Sequence, residues 1–127
     1  MILTINNTSY SINKSSDIIT VFDNIEEKCD ILLFSNEESP SLTVLKNGDR
    51  AFLMYLKFSG DIGFTSRSNY DQSPINFTLS NGQVDHYPGN WTIPFSQAKD
   101  AIMHFVKTQK MIPGIKWNDD SNDQSFY

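Results

Sequence analysis

The clearest hydrophobic pattern lies near the end of the chain. Phe95, Ala98, Ala101, Ile102, Phe105 and Val106 recur at helical spacing, while Gln97, Asp100, His104 and Lys107 fall on the opposite side. This predicts one amphipathic helix lying on a core. Pro113-Gly114 cannot continue it, and Ile115-Lys116-Trp117 alternates as a half-buried edge strand does. A second helix is predicted near the start, capped by Ser16 or Asp17. Its apolar stripe is Ile18, Val21, Phe22, Ile25 and Cys29. The β-branched residues from 18 to 21 oppose that helix, because their side chains are stiff at χ1.

Between the two helices the pattern changes to strands. Residues 2–5 alternate and are predicted to pair with Tyr10-Ser11-Ile12 across Asn6-Asn7-Thr8-Ser9. Residues 30–34 read as a buried strand, followed by an acidic loop over 35–40 that carries Glu37 and Glu38. Residues 41–46 and 50–58 flank Asn47-Gly48, which suits the tight primed turn of an antiparallel hairpin. Residues 51–56 are apolar on both faces, as expected of a central strand covered on both sides. Gly60-Asp61 leads into residues 62–66, and a polar stretch over 67–73 leads to residues 75–79. Asn81-Gly82 turns the chain into Val84-Asp85-His86-Tyr87, and Pro88-Gly89-Asn90 brings it to the closing helix.

These elements predict an α+β fold: a mainly antiparallel sheet of about six to seven strands carrying a single layer of two principal helices. Two helices cannot cover both faces of such a sheet. Part of one face is therefore expected to be open, curled on itself, or covered by a partner.

A length of 127 residues suits one domain, expected over residues 1–117, with residues 118–127 as a polar, mobile tail. Nine Phe, five Tyr and two Trp supply ample core material. Ten basic against fifteen acidic residues give a net charge of −5. That charge opposes direct nucleic-acid binding and favours a basic partner. Cys29 is the sole cysteine, so no intrachain disulfide is expected and the compartment reads as reducing. The start of the chain has no basic region or long apolar run, which predicts a cytoplasmic protein without a membrane span.

Catalytic patterns are weak. His86 and His104 are the only histidines, and no cluster has zinc-ligand spacing, so no metal is expected. The carboxylate pairs Glu26-Glu27, Glu37-Glu38 and Asp119-Asp120 are sequence neighbours, the usual mark of wet surface. The glycines are scattered at turns, so neither a phosphate loop nor a cofactor is expected. A small hydrolase using Ser66 or His86 is the weakest reading, and no catalytic residue is assigned. Tyr55, Tyr70, Tyr87, Trp91 and Trp117 read either as core anchors or as interface contacts. Trp117 fits the core better, and Tyr70, beside Asp71 in a polar loop, fits an interface better.

The order of parts adds to this reading. Trp91-Thr92-Ile93-Pro94 enters an Ala-spaced helix, Thr108 and Pro113 mark its exit, and a strand closes on Trp117. Upstream, Asn47-Gly48-Asp49-Arg50 runs through Tyr55 and is followed by Gly60-Asp61-Ile62-Gly63-Phe64-Thr65-Ser66. This order resembles the first immunity-protein family of bacterial polymorphic toxin and contact-dependent growth inhibition systems. Gln109 departs from it, standing where many members have Gly after the helix.

The resemblance implies a protein that neutralises the C-terminal toxin domain of a secreted or contact-delivered effector. Such toxins are often nucleases or nucleic-acid deaminases, and neutralisation is one-to-one binding that occludes the active site, without a reaction of its own. A toxin that holds phosphates is basic, so acidic and amphipathic surface residues are the expected contacts. Charge and loop position select Glu37, Glu38, Asp61, Tyr70, Asp71, Asp85 and Tyr87. Nothing in the sequence indicates a dimer. The alternative is an acidic adaptor domain, unrelated to toxins, that docks a cytosolic partner on an open sheet face.

Overall fold

A computed structural model describes residues 1–23, 25–35 and 39–123. The first hairpin joins β1 (Ile2–Ile5) to β2 (Thr8–Ser11). Its turn is Asn6-Asn7 alone, with φ of 46° and 74°. Asparagine tolerates this left-handed region, so a two-residue primed turn replaces the expected four-residue connection and brings Thr8 and Ser9 into the ladder. Helix α1 (Ser15–Phe22) follows, with Asp17 accepting the Asn13 and Lys14 amides at 3.0 and 3.2 Å. The helix stops before Ile25. Cys29, placed by its spacing on that helix, belongs instead to strand β3 (Lys28–Phe34).

Strands β4 (Ser41–Asn47) and β5 (Arg50–Leu56) form the central hairpin. The turn lies one residue further on than Asn47-Gly48: Gly48 and Asp49 make the loop, and Gly48 takes the positive φ of 59° that a primed turn needs at its first position. Next come β6 (Phe64–Arg67), β7 (Pro74–Thr78), β8 (Val84–Pro88) and a 3₁₀ turn at Gly89–Trp91. The short β9 (Ile93–Pro94) leads into α2 (Phe95–Thr108), and β10 (Lys116–Asp119) ends in a 3₁₀ turn at Asp120–Asp123.

The main sheet is eight-stranded, in the order β10-β6-β5-β4-β3-β1-β2 with β9 also on β5, and all of its pairings are antiparallel. Strands β7 and β8 form a separate two-stranded hairpin. The α+β architecture is as expected, with a slightly larger sheet.

Both helices lie on one face. Ile18 of α1 and Phe95, Ala98, Ala101, Ile102 and Phe105 of α2 are buried there against Leu3, Ile31, Leu33, Val44, Leu53 and Tyr55. On the other face Leu45 and Phe52 pack against Phe77 of the β7–β8 hairpin. Central strand β5 is therefore covered on both sides, with Ala51, Leu53 and Tyr55 toward the helices and Phe52 toward the hairpin. The chain has curled a hairpin over part of its second face. The cover is incomplete: Leu32 on β3 is 38% exposed, so β3 is half-buried and not the buried strand that its apolar run suggested.

Helix α2 ends on Gln109, whose φ of 59° is left-handed and whose amide bonds Phe105 O at 2.7 Å. This is the position where the resemblance leads one to expect Gly. The Gln109 carbonyl accepts the Tyr55 hydroxyl at 3.0 Å, tying the helix end to the sheet. Trp117 packs on the helix-side core as an edge-strand residue. The expected domain boundary after residue 117 falls inside β10, and Asp120 is anchored by its amide on Gly63 O and by the Thr65 hydroxyl on its carboxylate. Residues 124–127, the end of the expected tail, lie outside the described residues. Among the described residues no helix is long and apolar enough to cross a membrane.

Candidate interaction surface

The surface around Arg50 begins with the turn before β5. That turn places Arg50 on the Phe52 side of the strand, opposite Pro94 of β9. Its Nε donates to Thr92 Oγ1 at 3.0 Å and an Nη to Thr92 O at 2.7 Å, while the Thr92 hydroxyl donates to Gly89 O at 2.6 Å. The Nε–Nη edge of the guanidinium is thus committed to Thr92, and its face is left for a ring. Tyr70 supplies that ring, 3.8 Å from Cζ and 49% exposed.

The loop carrying Tyr70 is held from both sides. Ser68 N–H donates to Asn90 O at 2.7 Å, and Gly89 N–H donates to Ser73 O at 3.1 Å. A Cβ on Gly89 would lie 2.0 Å from Asp71 O, so the 3₁₀ turn and the loop meet at a spacing only glycine permits. Within the loop, Asp71 accepts the Ser73 amide at 2.8 Å, and that bond holds its carboxyl below the ordinary range.

Next to this loop runs an aromatic ladder. The Tyr87 ring stacks on Phe52 at 4.1 Å, with Trp91 6.2 Å from Tyr87. The Arg67 guanidinium lies 4.0 Å from the Trp91 ring, and Arg67 also approaches Asp120 at 3.7 Å. Tyr87 is therefore a half-buried member of the second core, with its phenol pushed up by burial first and by Asp85 second. Asp85 lies two residues back on β8, on the same hairpin face, and accepts Gln83 Nε2 at 2.6 Å.

Of the residues selected from charge and position, the structure gathers Tyr70, Asp71, Asp85 and Tyr87 on the hairpin side. Asp61 is elsewhere. It follows the far end of β5, about 20 Å from Arg50 at strand rise, and accepts the Lys57 and Gly63 amides at 2.9 and 3.2 Å, closing its own loop. Glu37 and Glu38 lie outside the described residues. Arg50, Arg67 and Trp91 complete the surface. Neither arginine was selected from the sequence, because each acquires its aromatic partner through tertiary packing, and no local pattern marks either of the chain's two arginines.

The residues considered for chemistry have structural uses. Ser66 is fully buried: its hydroxyl accepts the Leu53 amide at 3.1 Å and donates to Trp91 O at 2.7 Å, strapping β6 to β5 and to the 3₁₀ turn. His86 meets Asn76 across the exposed hairpin. Among the described residues no group of three or more His, Cys, Asp or Glu is placed to hold a metal ion. Instead, the arrangement offers an aromatic surface in which both arginines are held by rings and by neighbouring side chains, with Asp71 and Asp85 beside it. The chain matches no protein-family model and no curated protein.

Proposed function

We propose that this chain is an immunity protein that binds the C-terminal toxin domain of a secreted or contact-delivered effector and covers its active site, catalysing no reaction. The observation that carries the reading is the Tyr70–Arg50 stack: a half-exposed aromatic ring held in place by a clamped guanidinium. A ring that is already ordered loses little rotamer freedom on binding, and Tyr and Arg are among the residues that dominate interface energies. The net charge of −5 supports the same reading, since a nuclease or nucleic-acid deaminase is basic where it holds phosphates. The sequence resemblance supplies the class of partner. The complex is one-to-one and cytoplasmic, and neither a cofactor nor nucleic acid takes part in it.

The test is to express the toxin domain encoded beside this protein, with and without it, and to measure growth and complex formation. Rescue with a stable complex supports the proposal; a fully lethal, unbound toxin ends it. The adaptor reading, favoured by the partly open sheet face at Leu32, predicts no rescue.

A further inference from the structure

Strand β2 ends the main sheet, and its hydrogen-bonding parity is fixed. Ile12 N–H donates to Met1 O at 2.8 Å, and the β1–β2 register pairs Leu3 with Tyr10 and Ile5 with Thr8. In an antiparallel ladder the hydrogen-bonded residues alternate, so Thr8, Tyr10 and Ile12 turn their amides and carbonyls toward β1. Ser9 and Ser11 turn theirs outward, where no backbone partner meets them among the described residues.

Sheet edges are normally blunted by Lys, Pro or bulges. The Thr-Ser-Tyr-Ser strand has none of these, and its register is uninterrupted. The opposite edge, β10, carries Lys116 and Asp119 and runs into a 3₁₀ turn. Only its shortness guards β2.

A groove of about 580 Å³ opens between this edge and α1. Ile5, Tyr10, Val21 and Ile25 supply apolar wall, and the charged residues lining it are Asp17 and Glu26, both acidic. Tyr10 is 40% exposed within it. Added strands present alternate side chains to each face of a sheet. One side-chain parity of an added strand would enter this groove, and the other would lie beside the Ser9 and Ser11 hydroxyls.

We propose that the β2 edge is a strand-addition site. An extended segment of the partner protein, with Lys or Arg among alternating apolar residues, pairs its backbone with Ser9 and Ser11 and sets its basic side chain against Asp17 and Glu26. The proposal rests on the protein-binding reading above, but not on the partner being a toxin.

The test uses the full chain with two probes: the neighbouring toxin domain, and a displayed library of random peptides about seven residues long. The double variant Ser9→Pro with Ser11→Pro removes the outward amides and leaves the β1 ladder intact, as proline on an open edge allows. Expected results are peptides rich in Lys or Arg alternating with apolar residues, at least about tenfold weaker binding to the double variant, and weaker binding to Glu26→Lys. Recovery of no such peptide, or equal binding to the double variant, overturns the proposal. Amide exchange on the unaltered chain avoids any folding defect in the variant: bound peptide protects the Ser9 and Ser11 amides, and unchanged exchange there overturns strand addition. If the toxin binds wild type and double variant equally, strand addition fails while the proposed function stands. If it binds neither, the proposed function fails and the peptide and exchange results still decide the edge.

Discussion

The Tyr70 ring lies 3.8 Å from the guanidinium carbon of Arg50, and Arg50 is itself bonded through two nitrogens to Thr92. The order of Tyr70 therefore depends on β5 and on the turn before α2, not on its own loop alone. Tyr70→Ala removes an exposed cation–π contact worth about 0.5–1 kcal/mol, so urea unfolding should shift only slightly. Binding to the toxin should fall at least about tenfold, since truncating an interface anchor typically costs about 2 kcal/mol or more. Tyr70→Phe keeps the ring and should retain most of the affinity. Titration calorimetry checks this, and unchanged affinity for Tyr70→Ala removes Tyr70 from the interface.

Gly89→Ala tests the joint between the loop and the 3₁₀ turn. The added methyl would sit 2.0 Å from Asp71 O and 2.8 Å from Ser73 O, both backbone atoms that cannot swing aside. The loop must move, at a cost of about 1–3 kcal/mol if it does so with modest strain. Denaturant midpoints should fall accordingly, and Tyr70 should lose its shelter on Arg50, visible as increased Tyr70 ring mobility by NMR. A variant as stable as wild type would show that the loop is not held there.

How far these features could be read from the sequence depends on the range of the interactions. The stripe of α2 and the two-sided apolarity of β5 record burial residue by residue, and both were legible. Cys29 fell on the helical spacing of α1 by coincidence, because the chain leaves the helix after Phe22 and β3 buries alternate residues on the same side of the molecule. The cover on the second face was harder to foresee. It rests on Phe77 and Tyr87 meeting Phe52, contacts with no local periodicity. Tyr70 was legible as an aromatic in a polar loop, whereas its support, Arg50, is twenty positions away. Asp61 looked like free surface charge, but its carboxylate is occupied by the amides of its own turn, as Asp in a tight turn often is.

Gln109 offers a stabilising change. Its φ of 59° places a side-chain-bearing residue in the left-handed region, which costs about 1–2 kcal/mol. Glycine relieves this cost, offset in part by the greater freedom it gives the unfolded chain. Gln109→Gly should raise the unfolding free energy by up to about 1 kcal/mol, and Gln109→Val, branched at Cβ, should lower it. The Tyr55 bond survives both changes because it ends on the backbone carbonyl. Lower stability for the glycine variant would contradict this account of the helix exit.

Asp17 predicts the acid limb of stability. Its carboxyl is held below the ordinary value of 3.8, first by the Asn13 amide and then by the Lys14 amide. A depressed folded value stabilises the fold fully above the unfolded value, and the effect is lost as pH falls through the folded one. Asp17→Asn removes the titration and the charge that favours a helix N-terminus. The variant should be less stable at neutral pH, and the difference from wild type should narrow as the solution is acidified. Thermal unfolding across that range checks it, and a gap that widens in acid would refute it.

Cys29 predicts the opposite limb. Its thiol is 1% exposed on β3, and burial pushes its pKa up from 9.0 to about 11, against the pull of Lys46. The thiolate is the reactive form, so a buried thiol with a raised pKa should resist alkylation while the chain is folded. Labelling of the native protein by iodoacetamide should then follow unfolding, and rise with denaturant in step with the unfolded fraction. The linkage has the reverse sign to that of Asp17. A folded value above the unfolded one favours the native state fully below pH 9.0, and the advantage disappears as pH rises toward about 11. Cys29→Ala removes this titration. It also leaves a small void in the helix-side core, so it should lower stability at neutral pH while losing less between those two values than wild type. Rapid native-state labelling near neutral pH would show that the β3 thiol is reachable without unfolding, and would remove the burial on which the alkaline prediction depends.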